Sequence, residues 1–387
     1  MQQKINPHVQ AIGISGIRRF SEKVKAYDGA VSLTIGQPDF PTPQHIKEAA
    51  KRAIDQNHTA YTSTPGMIEL RQAIADYARE KYGLDYDAAT EVLTTIGASE
   101  ALDLSFRALL EQDDEVIVPG PAYPGYPAPI RLAGGIPVYC DTRKTAFKLT
   151  AAAIEEKLTA RTKAVVIPSP ANPTGATMNE GELAAIADLL RDRQIYIVSD
   201  EIYSELIYDG KHTSIASFPG MREKTIVING LSKSHSMTGW RVGYILSSAD
   251  LVAELVKIHQ YNTACISSIS QFAALEALRN GKDDARPMRE AYRSRRDYVL
   301  ERLHGMRIDA PRPGGAFYLF IPIGRFGRSS EDFATDLLDK QRLALVPGTA
   351  FSEYGEGYLR LSYCYDMATL RDGLDRLQRY VESLEAQ

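Results

Sequence analysis

Short β-branched runs alternate with longer helical patterns through the middle of the chain, the rhythm of a layered domain in which strands and helices follow one another. The runs that read as strands are EVLTT (91 to 95), DEVIVP (114 to 119), GIPVYC (135 to 140), KAVVIPS (163 to 169), IYIVS (195 to 199), TIVIN (225 to 229) and VGYIL (242 to 246). Several are apolar on both faces, as central parallel strands are. Helical patterns lie among them at PQHIKEAAKRAIDQN, SEALDLSFRALLE and NEGELAAIADLLRDR, and the pattern beginning at Glu69 stops at Gly83. The expectation is an α/β fold with a mostly parallel central sheet in a large domain.

From about Asp283 the texture changes. RPMREAYRSRRDYVLERLHG predicts one long helix with a charged face, and AFYLFI, ALVPG and YLRLSY are strand candidates with helices between and after them. That predicts a smaller α+β domain joined by the N-terminal arm. The large domain is placed at residues 46–289, and the arm plus small domain at 1–45 and 290–387.

Composition narrows the partners. A net charge of -4 gives no bulk attraction to nucleic acid or an anionic membrane, and no run approaches 18 uncharged apolar residues. The start, MQQKINPHVQAIGISG, has no sustained apolar core of a signal segment. Three scattered cysteines, Cys140, Cys265 and Cys364, argue against a disulfide framework and for a reducing compartment. A cytoplasmic protein with small-molecule or protein partners is expected. The seven histidines never take a metal-ligand spacing, no GxxxxGK[ST] loop is present, and GISG at 13 to 16 is too short for a dinucleotide fingerprint. No metal is expected.

Four segments at strand ends remain, where open α/β sheets bind ligands. Gly97, Ala98 and Ser99 open a helix whose free N–H groups suit a phosphate. Asn172 sits between prolines in SPANPTGATM, with an amide able to donate and accept. Asp200 follows a buried run and needs a positive partner or a donor, with Tyr203 three residues on. Lys233, flanked by Ser232 and followed by Arg241, becomes an amine nucleophile if burial or a nearby cation lowers its pKa. Taken singly, each also reads as something ordinary: a capped helix start, turn chemistry, an N-cap aspartate, a solvated lysine. Together they supply an anion cradle, a carboxylate, an amine and an arginine, each after a different strand.

In this order the segments resemble the class I and II aminotransferases, the fold-type I enzymes dependent on pyridoxal phosphate. The resemblance is collinear over nearly the whole chain: IGQPDF (35 to 40), YTSTPG (61 to 66), GASEAL (97 to 102), PAYPGY (121 to 126), NPTG (172 to 175), SDEIY (199 to 203), SKSHSMTGWRVG (232 to 243) and YLRLSY (358 to 363). It implies pyridoxal 5'-phosphate as cofactor, with Lys233 forming the Schiff base and shuttling a proton. Asp200 would pair with the pyridine nitrogen, Asn172 and Tyr203 would bond the ring hydroxyl oxygen, and Tyr123 would stack on the ring. Ala98, Ser99, Ser232 and Arg241 would hold the phosphate, joined by Tyr61 from the neighbouring subunit of a homodimer with shared active sites. Arg360 would clamp the substrate α-carboxylate, with the Gly36 backbone nearby.

One position departs from the pattern. Many relatives carry a hydroxyl residue three places before the lysine, where this chain has Gly230. The implied reaction moves an amino group between an amino acid and a 2-oxo acid, with N-acetyl-LL-2,6-diaminopimelate and 2-oxoglutarate in lysine biosynthesis placed first. A broad aspartate or aromatic aminotransferase comes second, and a carbon–sulfur β-lyase using the same cofactor site remains a different class. In the N-terminal ISGIRRF, Arg18 or Arg19 is a candidate to meet a distal carboxylate, against the ordinary reading of each as a solvated charge.

Overall fold

A computed structural model describes residues 4–386, so the first three residues of the expected arm and the last of the expected small domain lie outside it. Twelve strands occur among the described residues: β1 (Val31–Ser32), β2 (Val92–Ile96), β3 (Glu115–Gly120), β4 (Ile136–Asp141), β5 (Thr162–Pro168), β6 (Tyr196–Asp200), β7 (Thr225–Gly230), β8 (Val242–Leu246), β9 (Tyr318–Pro322), β10 (Leu343–Ala344), β11 (Val346–Pro347) and β12 (Tyr358–Ser362). Strands β2 to β8 form one sheet in the order β2-β8-β7-β6-β5-β3-β4. All seven runs read from the sequence are its strands, shifted at their ends by a residue or two at most.

The sheet is parallel from β7 through β4. Strand β8 is antiparallel to both of its neighbours, because residues 231–241 are too few for the crossover that a parallel return requires. Alternate side chains explain why both faces are apolar. Leu93, Val116, Val118, Val166, Val198, Ile226, Ile228 and Ile245 pack on one side with Leu104 and Phe106 of the helix Gly97–Leu109 and Leu255 of the helix Ala249–Thr263. The other side is covered in two patches: Val92, Val227 and Val242 pack with Leu70 and Ile74, whereas Ile117, Val165, Ile167 and Ile197 pack with Leu183 and Ile186. Burying such side chains contributes roughly 1.5–3 kcal/mol each, which makes the sheet the rigid floor for whatever its edge carries.

A second core lies among the C-terminal elements. Strands β11, β12 and β9 make an antiparallel sheet, and β1 of the N-terminal arm pairs with β10. Phe317, Leu319, Leu337, Leu361, Leu374 and Tyr380 are buried together there, and the arm contacts these elements through the β1–β10 pairing. The predicted strand ALVPG is instead two short ones, because β10 pairs with the arm and β11 with β12. Residues 46 and 289, expected at domain borders, fall inside the helices Gln44–Asp55 and Ala285–Gly305, so neither position is a linker. No helix of the described residues is long and apolar enough to cross a membrane.

Candidate active site

The antiparallel insertion of β8 sets up the site. With β7 parallel to β6 and β5, the carboxyl ends of β2, β3, β5, β6 and β7 and the amino end of β8 share one edge of the sheet. The segments that follow these strands therefore converge, and a cavity of about 360 Å³ lies at that edge. Ala98, Ser99, Tyr123, Asn172, Asp200, Tyr203, Ser232, Lys233 and Arg241 all line it, and Gly36 and Arg360 close it from the arm and the C-terminal sheet. Of the residues expected to hold cofactor, Tyr61 alone lies elsewhere; it is 87% exposed, in a separate shallow cleft with Cys265 and Ile269.

Asp200 ends β6 and is not the N-cap of a helix, since turns follow it. Its Oδ2 accepts from the Tyr126 hydroxyl at 2.7 Å and its Oδ1 from the Ile202 N–H at 3.2 Å. It makes no ion pair among the described residues, and burial pushes its carboxyl pKa up against the pull of those two donors. Tyr126 carries no role in the sequence reading, although it closes the PAYPGY segment; its contact with Asp200 spans 74 residues and is visible only in space.

Lys233 sits on a single helical turn, Leu231–Ser234, directly after β7. Its Nζ donates to the Gly36 carbonyl at 2.8 Å. Its pKa is lowered to about 8, first by burial and further by the Arg241 and Arg360 charges. That is the shift an amine nucleophile requires. The faces of Tyr203 and Phe317 lie 5.9 and 5.7 Å from Nζ and confine it.

Arg360, on β12, is 2% exposed. Its Nη1 donates to Asn172 Oδ1 at 3.0 Å and its Nη2 to the Thr34 carbonyl, while the guanidinium lies 4.5 Å from the Tyr318 ring. Its Nε–H is buried without a partner among the described residues. Asn172 thus uses its accepting oxygen on Arg360. Tyr203 donates to or accepts from Tyr318 at 2.9 Å, a second tyrosine that the sequence reading leaves out.

At the other end, Arg241 adopts φ +56° and bonds the carbonyls of Thr238 and Ile96 at 3.1 and 3.2 Å. Its guanidinium lies against Gly97, where a Cβ would stand 2.4 Å from Nη2, so the first helical turn and the arginine approach closely only because residue 97 is glycine. Exposed helix N–H groups, an arginine and the Ser232 hydroxyl then face one space, a cradle for a phosphate. Gly230 proves to be a packing position: a Cβ there would meet the Val242 carbonyl oxygen at 2.7 Å and Gly243 Cα at 2.8 Å.

These residues fit pyridoxal 5'-phosphate. A buried carboxylate without an ion-pair partner suits a protonated ring nitrogen, the cradle suits the phosphate, the amine suits the aldehyde, and the Arg360 guanidinium on the cavity wall suits a substrate carboxylate. The chain's relatives agree. Residues 28–377 match the family model described as aminotransferase class I and II. A probable N-acetyl-LL-diaminopimelate aminotransferase of Bacillus subtilis strain 168 is 55% identical over 98% of this chain and 96% of its own length. The fold superposes on an aromatic aminotransferase from Pyrococcus horikoshii OT3 with a TM-score of 0.90 at 38% identity, covering 95% of this chain and 99% of that one. The aspartate aminotransferase from Thermus thermophilus with maleate gives a TM-score of 0.92 at 37% identity, covering 97% and 99%.

Two outcomes are expected from this geometry. Neutral amine is the form that attacks an aldehyde, so the rate at which cofactor-free protein captures pyridoxal 5'-phosphate should rise with pH and reach half its maximum near pH 8. A midpoint near that of an ordinary lysine, about 10.4, in stopped-flow absorbance would show that the amine is not depressed. Gly230→Ser should cost about 1–3 kcal/mol in chemical denaturation, because the β7–β8 backbones must part, without tightening phosphate binding.

Proposed function

The chain belongs to the class I and II aminotransferases, and on that premise we propose that it moves an amino group between N-acetyl-LL-2,6-diaminopimelate and 2-oxoglutarate, a step of lysine biosynthesis. It is an enzyme dependent on pyridoxal 5'-phosphate that acts on amino acids and 2-oxo acids. The diaminopimelate substrate is supported by the 55% identity to the Bacillus subtilis relative of that name, against 36–40% for relatives named for aspartate or aromatic amino acids. The observation that carries the reaction type is the meeting of Lys233, Asp200 and Arg360 around one cavity.

Bound there, pyridoxal 5'-phosphate supplies an aldehyde for the amino group and a ring that draws electrons from the substrate Cα. The protein's part is orientation, charge and proton handling. Arg360, anchored by Asn172 and Thr34 on the cavity wall, would hold the substrate α-carboxylate through its guanidinium and so fix Cα. Lys233, with a pKa of about 8, is poised both to accept the Cα proton and to return one. Asp200, held by Tyr126 and Ile202, keeps a negative charge at the floor of the cavity, where it favours a positive ring nitrogen. Arg241, Ser232 and the N–H groups of residues 98 and 99, all at the cavity, would hold the phosphate, and Tyr123 and Tyr203 would bound the ring and its hydroxyl oxygen.

The same proposal makes the enzyme a cytoplasmic homodimer. Tyr61 is exposed at its own chain's surface and does not line its own cavity, which leaves it available to the phosphate site of a partner subunit.

With N-acetyl-LL-2,6-diaminopimelate and 2-oxoglutarate supplied together, glutamate and the new 2-oxo acid should appear in equal amounts. Thiol release from sulfur amino acids without consumption of 2-oxoglutarate would point to a lyase, and a higher kcat/KM for aspartate or phenylalanine would displace the diaminopimelate assignment. Arg360→Lys should keep the charge and lose the fork, raising KM for the amino acid by about 10- to 100-fold with a smaller loss in kcat.

A further inference from the structure

The cavity is lined by four cationic side chains, Arg18, Lys233, Arg241 and Arg360, and by one carboxylate, Asp200. Three of the cations have work: Lys233 is held on Gly36, Arg241 on the carbonyls beside the phosphate cradle, and Arg360 on Asn172 and Thr34. Arg18 has none. It lies in the helix Gly16–Val24 of the N-terminal arm, is exposed, and makes no hydrogen bond or ion pair among the described residues.

We propose that Arg18 is a specificity-determining residue that binds the second carboxylate of a dicarboxylic substrate whose first carboxylate is held by Arg360. This rests on the dicarboxylic substrates proposed above, and it names the residue that selects them. The same cavity is also lined by Ile17 and Ile35, the latter 53% exposed. A ligand that satisfies this lining has a carboxylate at each end and an aliphatic stretch between. The charge of Arg18 also reaches the inner cavity: burial and Asp200 push the Tyr123 hydroxyl pKa up, and Arg360, Arg18 and Arg241 pull against them.

The neighbouring arginine serves as an internal control. Arg19 turns away from this cavity and lines a separate cleft with Lys23, Glu331 and Thr349. The sequence leaves Arg18 and Arg19 equivalent; the helix places them on different faces, and only Arg18 meets the substrate space. Arginine suits the task because its planar fork pairs both oxygens of a carboxylate, and an ammonium does not reproduce that geometry.

The test compares binding of two unreactive five-carbon acids to the cofactor-loaded enzyme by titration calorimetry: glutarate, with two carboxylates, and pentanoate, with one. The unaltered enzyme should prefer glutarate. In Arg18→Gln that preference should fall by about tenfold or more through weaker glutarate binding, with pentanoate little changed. Arg18→Lys should lie between, and Arg19→Gln should retain the full preference. If the preference survives Arg18→Gln, or if both ligands weaken equally, Arg18 does not bind the second carboxylate, and the dicarboxylic substrate reading stands without it. If the unaltered enzyme shows no preference, both the dicarboxylic reading and the role of Arg18 are overturned.

Discussion

A carboxylate buried without a cation is the constraint around which this site is built. Taking a charged group out of water costs several kcal/mol even after relaxation. Asp200 receives two hydrogen bonds in return, from Tyr126 and Ile202, each worth about 1.5–3 kcal/mol when the acceptor is charged. The balance is close, and burial leaves the carboxyl pKa raised. The protein thus keeps a carboxylate that is satisfied in geometry and short of positive charge. A protonated ring nitrogen would supply what is missing, and in the proposed reaction the same pair would make the ring an electron acceptor. Stability and chemistry then draw on one interaction.

The remaining charges are ordered around that floor by the sheet. Because β8 returns antiparallel beside β7, Arg241 is delivered to the edge that carries Lys233 and Asp200. Arg360 arrives from a different sheet, and the arm contributes Gly36, Thr34 and Arg18 from more than 300 residues away in sequence, as the bond from Arg360 to the Thr34 carbonyl illustrates. The charges of Arg241 and Arg360 also depress Lys233, so the residues proposed to hold phosphate and carboxylate assist in preparing the amine. A cavity rich in positive charge is an expensive one unless anions fill it, and in the proposed complex phosphate and carboxylates would do so.

Much of this was legible in the chain. Asn172, Asp200 and Lys233, each with an ordinary reading of its own, were found because together with the 97–99 turn and Arg241 they supply a complementary set of groups, each after a different strand. Tyr126, Tyr318 and Thr34 escaped because their importance lies in partners far away in sequence, and a tyrosine beside prolines gives no sign of what its hydroxyl touches. The helices Ala249–Thr263 and Ser268–Asn280 were not singled out either. The second buries Ser270, Gln271, Ala273, Ala274, Ala277 and Leu278, a set too small and too polar to form a clear apolar stripe. Gly230 looked like a lost hydroxyl donor and is a point of close backbone contact with β8. Spacing shows which residue is present, and only packing shows what space it has.

The most direct measurement is the nitrogen-15 resonance of ring-labelled pyridoxal 5'-phosphate bound to the enzyme, followed across neutral pH and repeated in Asp200→Asn. The account predicts a protonated ring nitrogen throughout in the unaltered enzyme and its loss in the variant. A neutral nitrogen in the unaltered enzyme, or the same resonance in both proteins, would contradict it.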